Sequence, residues 1–83
     1  MAYFYVLCSD FDRSVYIGST KDMERRFAEH QRGQTRSTRY GIPWRILLCW
    51  SYPSYLQAVR VERQIKAWKR KDAIERLIRE GAP

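Results

Sequence analysis

The sequence predicts an α+β fold of the α/β sandwich type, in which a small three-stranded antiparallel sheet is flanked by helices in the order ββαβαα. Three observations predict it. Residues 3–8 and 14–19 are rich in aromatic and β-branched side chains and are separated by a short turn-forming segment, as in a β-hairpin. Residues 44–50 form a third short apolar run between two prolines. Two longer stretches have helical spacing instead.

The first helix is predicted from residue 21 to about residue 32. Ser19, Thr20 or Asp22 could cap its N-terminus, and Gly33 is suited to end it. Residues 34–42, which follow it, form a polar segment with no periodicity, so we expect an irregular connection.

Two capping boxes predict the remaining helices. Ser54 with Gln57 opens a long helix that reaches about residue 70, and Asp72 with Glu75 opens a short last one.

Because 83 residues are fewer than two domains usually need, we expect residues 1–83 to form one domain without a separate DNA-targeting domain.

The charge balance favours a polyanionic partner. The chain has 16 Lys and Arg against 9 Asp and Glu, a net charge of +7, so nucleic acid is the leading partner and ordinary solubility charge the alternative.

No apolar run approaches the roughly 18 residues of a membrane span, and the N-terminus does not resemble a signal peptide. We therefore expect a cytoplasmic protein that does not enter a membrane.

Cys8 and Cys49 lie in apolar runs, which predicts buried thiols rather than a disulfide or metal site.

Polar residues occupy an apolar stripe of the first helix. Met23, Arg26, Phe27 and His30 follow the i, i+3, i+4, i+7 rule, so all four should face the sheet. Burying an unpaired charge costs several kcal/mol, and Arg26 and His30 therefore need partners. They are either functional residues, or Arg26 pairs with a carboxylate at the core edge while His30 is a satisfied core histidine.

Glu62 offers a possible counterpart in the second long helix. It borders the apolar stripe beside Ala58 and Ile65, which makes it a candidate inward-facing carboxylate. The alternative is a surface i, i+4 pair with Lys66, worth about 0.3–0.5 kcal/mol.

Strand alternation brings two tyrosines to one cleft. Tyr5 shares a face with Tyr3 and Leu7, and Tyr16 shares a face with Gly18. The tyrosines are either packing residues or members of a site. Gly18 marks a place where another backbone or a ligand approaches closely, and the helix N-terminus that follows attracts phosphate.

Basic residues also cluster near the predicted helix ends and in the polar segment. They are Lys66, Lys69, Arg70 and Lys71 around Trp68, and Arg32, Arg36, Arg39 and Arg45. Such a distribution is typical of a surface that follows a phosphate backbone, although a solvated helix end would show the same tract.

Together these residues resemble the GIY-YIG family, which is named after two strand motifs. The motifs here are Tyr3-Phe4-Tyr5 and Tyr16-Ile17-Gly18; the second is intact, and the first keeps only its Tyr, as in small stand-alone bacterial members. Arg26 and His30 fit the family's helix with an essential Arg and a His or Tyr one turn later. Glu62 fits the metal-binding Glu. The chain lacks the Asn that some members place after this Glu, and it has Ser19 where some have Lys.

The resemblance implies a catalytic domain that hydrolyses phosphodiester bonds with one Mg²⁺ or Mn²⁺ held by Glu62. The implied catalytic residues are Tyr5, Tyr16, Arg26, His30 and Glu62. The residues expected to contact the substrate are Gly18, Ser19, Lys21, Arg39, Lys66 and Lys69.

The expected activity is that of a structure-selective or low-specificity endonuclease, acting on DNA in preference to RNA in repair or recombination. The alternative is a non-catalytic nucleic-acid-binding module on the same scaffold. We expect a monomer or weak dimer, with any added specificity coming from a protein partner.

Overall fold

The computed structural model describes residues 1–68 together with Arg76 and Arg79. Its elements are β1 (Ala2–Ser9), β2 (Val15–Thr20), α1 (Met23–Gln31), a 3₁₀ turn (Arg39–Gly41), β3 (Trp44–Tyr52) and α2 (Tyr55–Trp68). The predicted fold class is confirmed. The predicted last helix from Asp72 lies outside the described residues, except for Arg76 and Arg79, which have helical backbone.

The sheet places β1 in the centre, antiparallel to both neighbours, in the order β2-β1-β3. Tyr5 lies opposite Gly18 on one side and Cys49 on the other. This arrangement makes β2 an edge strand, so side chains from either face of the sheet can meet beside it.

Helices cover both faces of the sheet, as the alternation predicts. Tyr5 and Leu7 pack with Tyr16 against Met23 and Phe27 of α1. On the other face, an apolar cluster joins the sheet to Ile65 of α2; its buried members from the sheet are Phe4, Val6 and Ile17. The core therefore has two layers, one on each side of β1. His30 on the stripe of α1 faces the layer that contains Tyr5 and Tyr16.

Local signals set the helix ends. Asp22 is the N-cap of α1, and its Oδ1 accepts a hydrogen bond from the Arg25 backbone N–H at 3.1 Å. Gly33 has φ +76°, the left-handed conformation that ends many helices. The capping box of α2 is confirmed, because Ser54 N–H donates to Gln57 Oε1 at 3.2 Å and Gln57 N–H donates to Ser54 Oγ at 3.3 Å.

The segment 34–42 is more ordered than predicted, because distant residues anchor it. Gln31 Nε2 donates to the Trp44 carbonyl at 2.9 Å, and Trp44 N–H donates to Gln31 Oε1 at 2.7 Å. The Trp44 indole N–H donates to the Thr38 carbonyl at 2.8 Å, and Ser9 Oγ donates to the Gly41 carbonyl at 2.5 Å. Such side-chain contacts leave no periodic pattern in the sequence. The 3₁₀ turn was therefore not predicted, and residues 34–42 were expected to be irregular throughout.

The prediction of two buried thiols is half wrong. Cys8 is buried, whereas Cys49 is exposed on the edge strand β3. Cys49 lines an open groove of about 550 Å³ with Tyr3 and Met23, beside the N-terminus of α1. In the part of the chain that the structure describes, no helix has the length and apolar character needed to span a membrane.

Candidate active site

A buried hydrogen-bonded chain links the central strand, α1 and the anchored loop. The Tyr5 hydroxyl lies 2.9 Å from Nε2 of His30, and Nδ1 of His30 lies 2.8 Å from Oγ1 of Thr38. Tyr5, His30 and Thr38 are each no more than 1% exposed. His30 is therefore the satisfied core histidine that the sequence allowed, and one of its partners is a predicted site residue.

The hydrogen-bond pattern assigns the protons in this chain. The Thr38 hydroxyl can donate to a backbone carbonyl, which leaves its oxygen free to accept from His30 Nδ1. With the ring proton on Nδ1, His30 donates to Thr38 and its Nε2 accepts from the Tyr5 O–H. The Thr38 hydroxyl donates in turn to the Thr35 carbonyl at 3.4 Å.

Burial keeps both rings of this chain uncharged near neutral pH. It lowers the pKa of His30 to about 4, with the Arg26 charge acting in the same direction and the Glu29 charge opposing it. Burial also raises the pKa of Tyr5 to about 12, although the Arg26 hydrogen bond opposes this effect. Tyr5 is consequently a hydrogen-bonding phenol here and not a tyrosinate.

Arg26 connects this buried chain to the surface. Its side chain is 32% exposed, and NH1 lies 3.0 Å from Glu29 Oε1 on the same helix. Burial would lower the pKa of Arg26, but hydrogen bonds to Tyr5 and Glu29, together with one to Tyr16, raise it above its ordinary value. The predicted carboxylate partner thus exists, and the charged guanidinium also reaches both predicted tyrosines.

Tyr16 occupies the more open side of the cluster. It is only half-buried, and its ring centroid lies 4.9 Å from that of His30 and 6.2 Å from that of Tyr5. The Lys66 ammonium lies 6.0 Å from the Tyr16 ring centroid. Of the two tyrosines, Tyr16 is therefore the one next to solvent and to a basic residue of α2.

Gly18 is required by its neighbour across the hairpin. A Cβ at this position would lie 2.5 Å from the Tyr5 hydroxyl oxygen and 3.2 Å from Cε1 of Tyr16. A group does approach closely, but it is the Tyr5 side chain and not the backbone or ligand that the sequence indicated. Glycine at this position lets the Tyr5 hydroxyl reach His30.

Glu62 reaches the site beside the edge strand. Its side chain is 19% exposed; Oε1 accepts a hydrogen bond from Ser19 Oγ at 2.5 Å, and Oε2 lies 2.7 Å from Lys66 Nζ. Because β2 is at the edge, a carboxylate from the α2 side can contact Ser19 while its partner Lys66 approaches Tyr16. Both sequence interpretations of Glu62 therefore hold together.

The residues present fit a single hydrated divalent ion better than a multi-ligand cage. Within residues 1–68 plus Arg76 and Arg79, no group of three or more His, Cys, Asp or Glu side chains could hold a metal. Glu62 Oε2 nevertheless already faces a cation, the ammonium of Lys66. One carboxylate near a hydroxyl such as that of Ser19 suits Mg²⁺, which retains several waters and binds substrate phosphate.

The predicted substrate contacts separate into two groups. Gly18, Ser19 and Lys66 lie within the cluster described above. Lys21 is exposed and lies 5.4 Å from the Tyr55 ring centroid, and Arg39 is exposed in the 3₁₀ turn next to Thr38. Lys69 lies outside the described residues.

Two residues of this cluster, Thr38 and Glu29, were not predicted from the sequence. Thr38 belongs to a segment without periodicity, so nothing in the sequence indicated that its hydroxyl is buried. Glu29 could have been found from its spacing of three residues from Arg26, which permits an ion pair on one helix face.

The chain is similar to known proteins over most of its length. The GIY-YIG catalytic domain model matches residues 1–76. The UPF0213 protein BH0048 of Halalkalibacterium halodurans is 34% identical over 83 residues, which cover 98% of this chain and 86% of that protein. A UPF0213 protein of Streptococcus pneumoniae serotype 4 is 39% identical over 71 residues, covering 83% of this chain and 70% of its own length. The solution NMR structure of BH0048 from Bacillus halodurans matches with a TM-score of 0.60 and 33% identity, over 100% of this chain and 89% of that one.

Proposed function

The chain belongs to the GIY-YIG family, a nuclease family, and we propose that it is an endonuclease that hydrolyses phosphodiester bonds with one divalent metal ion. One observation carries the proposal. The Arg26 guanidinium is partly exposed, is held by Glu29, and lies next to the hydroxyls of Tyr5 and Tyr16. A permanent positive charge between two hydroxyls, near a partly buried carboxylate, suits a reaction in which negative charge develops on a phosphate.

Tyr16 is the better candidate for the general base. It is half-buried and next to solvent, so an attacking water can reach it, whereas Tyr5 is 1% exposed. Burial raises the pKa of Tyr5 to about 12, which makes this phenol a poor proton acceptor near neutral pH.

Arg26 and His30 have different tasks in this proposal. The 32% exposed Arg26 side chain stabilises the charge that develops on the phosphoryl oxygens, for which a guanidinium offers several donors in one plane. His30 is fully buried and neutral, so it orients Tyr5 and acts through that hydroxyl.

Glu62 would hold the metal ion. GIY-YIG nucleases generally use a divalent metal, which when bound polarises the scissile phosphate and stabilises the leaving oxygen. The Lys66 ammonium contacts Glu62 Oε2, so Lys66 would lie beside the ion's carboxylate ligand as a contact for the substrate phosphate. Ser19 keeps the carboxylate oriented through its hydrogen bond to Oε1.

The substrate we propose is DNA in preference to RNA, cut with structure selectivity or low sequence specificity in repair or recombination. The net charge of +7 supports binding to a phosphate backbone. A second candidate is a binding module without appreciable catalysis. It is favoured by the state of Glu62, whose two oxygens both have partners within the protein.

Metal-dependent cleavage separates the two candidates. Labelled single-stranded, duplex and branched DNA, and RNA, are incubated with the protein in Mg²⁺, Mn²⁺ or EDTA. We expect cleavage that EDTA and Glu62→Gln abolish. The matched control is Glu24→Gln, which neutralises an exposed carboxylate of α1 and should remain active. Salt-sensitive binding without cleavage of any substrate would favour the binding module, because counterion release weakens phosphate contacts as salt rises.

A further inference from the structure

We propose that Thr38 is a positioning residue that fixes the tautomer of His30 and thereby directs the Tyr5 hydroxyl. The functional part of this inference rests on the proposed nuclease activity. Its structural part concerns the resting protein alone.

The surroundings of Thr38 give its hydroxyl proton an acceptor other than the imidazole. Oγ1 lies 2.8 Å from His30 Nδ1 and 3.4 Å from the Thr35 carbonyl, and the residue is 1% exposed. A carbonyl can only accept, so the single hydroxyl proton goes to Thr35. The Thr38 oxygen must then accept a proton from Nδ1 of His30.

The backbone of Thr38 is held from both sides. Its carbonyl accepts hydrogen bonds from the Trp44 indole at 2.8 Å and from the Gly41 N–H at 3.1 Å. Trp44 is itself bonded to Gln31, the residue that follows His30 in α1. The loop that carries Thr38 is therefore fastened to the same end of the helix as the imidazole that it contacts.

The tautomer of His30 decides whether the Tyr5 hydroxyl donates a hydrogen bond to the imidazole or accepts one from it. With the proton on Nδ1, Nε2 accepts from the Tyr5 O–H, and the Tyr5 oxygen remains free to accept from Arg26. With the proton on Nε2, the ring would donate to the same Tyr5 oxygen and compete with Arg26. The Tyr5 proton would then lose its buried acceptor, which is unfavourable.

The resting protein provides the first test. His30 is the single histidine of the chain, so a long-range ¹H–¹⁵N spectrum reports its tautomer without assignment ambiguity. At neutral pH we expect Nδ1–H as the main form in the wild type and in Thr38→Ser. Thr38→Val keeps the shape but removes the acceptor of Nδ1–H, so the fraction of Nε2–H should rise. Ser37→Ala removes an exposed hydroxyl one residue away and should change nothing.

Cleavage provides the second test. We expect kcat to fall about tenfold in Thr38→Val, the rate equivalent of one lost hydrogen bond, with KM for DNA unchanged and kcat restored in Thr38→Ser. Thr38→Ala replaces the valine variant if the latter does not fold, as judged by its thermal transition.

Three outcomes would overturn the inference: Nε2–H as the main form in the wild type, an unchanged tautomer ratio in Thr38→Val, or an altered ratio with full kcat. A wild type that cleaves no nucleic acid would refute the proposed function instead. The spectra would then decide by themselves whether Thr38 sets the tautomer.

Discussion

The Tyr5 hydroxyl and Nε2 of His30 lie 2.9 Å apart, although 25 residues separate them along the chain. Both side chains are almost completely buried, so the pair is part of the core as well as of the candidate site. Tyr5 is thereby the hydrogen-bonded partner of a neutral imidazole, and Tyr16 remains the accessible phenol.

This difference predicts unequal effects of removing the two hydroxyls. Tyr16→Phe should lower kcat roughly 100-fold or more, as expected for loss of a general base, and Tyr5→Phe should lower it less. Tyr5→Phe should instead cost about 1–3 kcal/mol in the free energy of unfolding, because His30 Nε2 loses its buried donor. Single-turnover cleavage and urea unfolding of both variants measure the two effects. The reverse order of kcat values would assign the base to Tyr5.

Arg26 is expected to matter for cleavage far more than its neighbour. Arg26→Ala should lower kcat by roughly 100- to 1,000-fold, the usual effect of removing a group that stabilises developing charge. The matched control is Arg25→Ala. Arg25 pairs with the same Glu29, at 3.3 Å, but its side chain is 76% exposed. Cleavage rates and far-ultraviolet circular dichroism should show a folded, inactive Arg26 variant and an active Arg25 variant. Similar losses in both would contradict a specific role for Arg26.

The buried imidazole predicts a stability change in mild acid. Burial lowers the pKa of His30 to about 4, below the value near 6.5 of an unfolded histidine. The unfolded chain therefore binds the additional proton first, so this contribution is complete above about pH 6.5 and is lost as the pH falls toward 4. The free energy of unfolding should decrease by up to about 3 kcal/mol over that window.

Denaturant unfolding at several pH values measures this decrease, and His30→Gln is the reference. Carboxylates also titrate near pH 4, but they do so in both proteins, so the difference between wild type and variant isolates the imidazole. Parallel pH profiles would show that His30 is not kept neutral by burial.

Lys66 should compete with the metal ion for Glu62. Its ammonium lies 2.7 Å from Oε2, in a pair whose Lys66 side chain is 50% exposed. A pair of this kind is worth about 0.2–1 kcal/mol, so Lys66→Met should tighten Mn²⁺ binding about two- to fivefold. Electron paramagnetic resonance of free Mn²⁺ measures the affinity directly, without reference to cleavage.

The matched control for this prediction is Arg60→Met, which removes the same charge from an exposed position of α2. Equal tightening in both variants would indicate general electrostatics instead of competition at Oε2. Weaker binding in Lys66→Met would show that Lys66 supports the metal site.

Much of the fold was predictable from the sequence because it depends on local chemistry. Alternation along β1 and β2 separated the Tyr5 and Phe4 layers, and helical spacing placed Arg26 and His30 on the stripe of α1 that faces Tyr5. Gly33 and the Ser54–Gln57 box indicated where helices end and begin, since capping bonds join residues only a few positions apart.

Only the tertiary structure decided which distant groups meet. It selected Asp22 as the cap of α1, exposed Cys49, placed Ser19 against Glu62 and brought Thr38 to His30. The last two contacts span 43 and 8 residues and join an edge strand to a helix and a helix to a loop. The sequence by itself determined the elements and their faces, through backbone periodicity. The partners of each polar side chain depended on how those faces packed, because burial obliges each such group to find a hydrogen bond wherever the fold provides one.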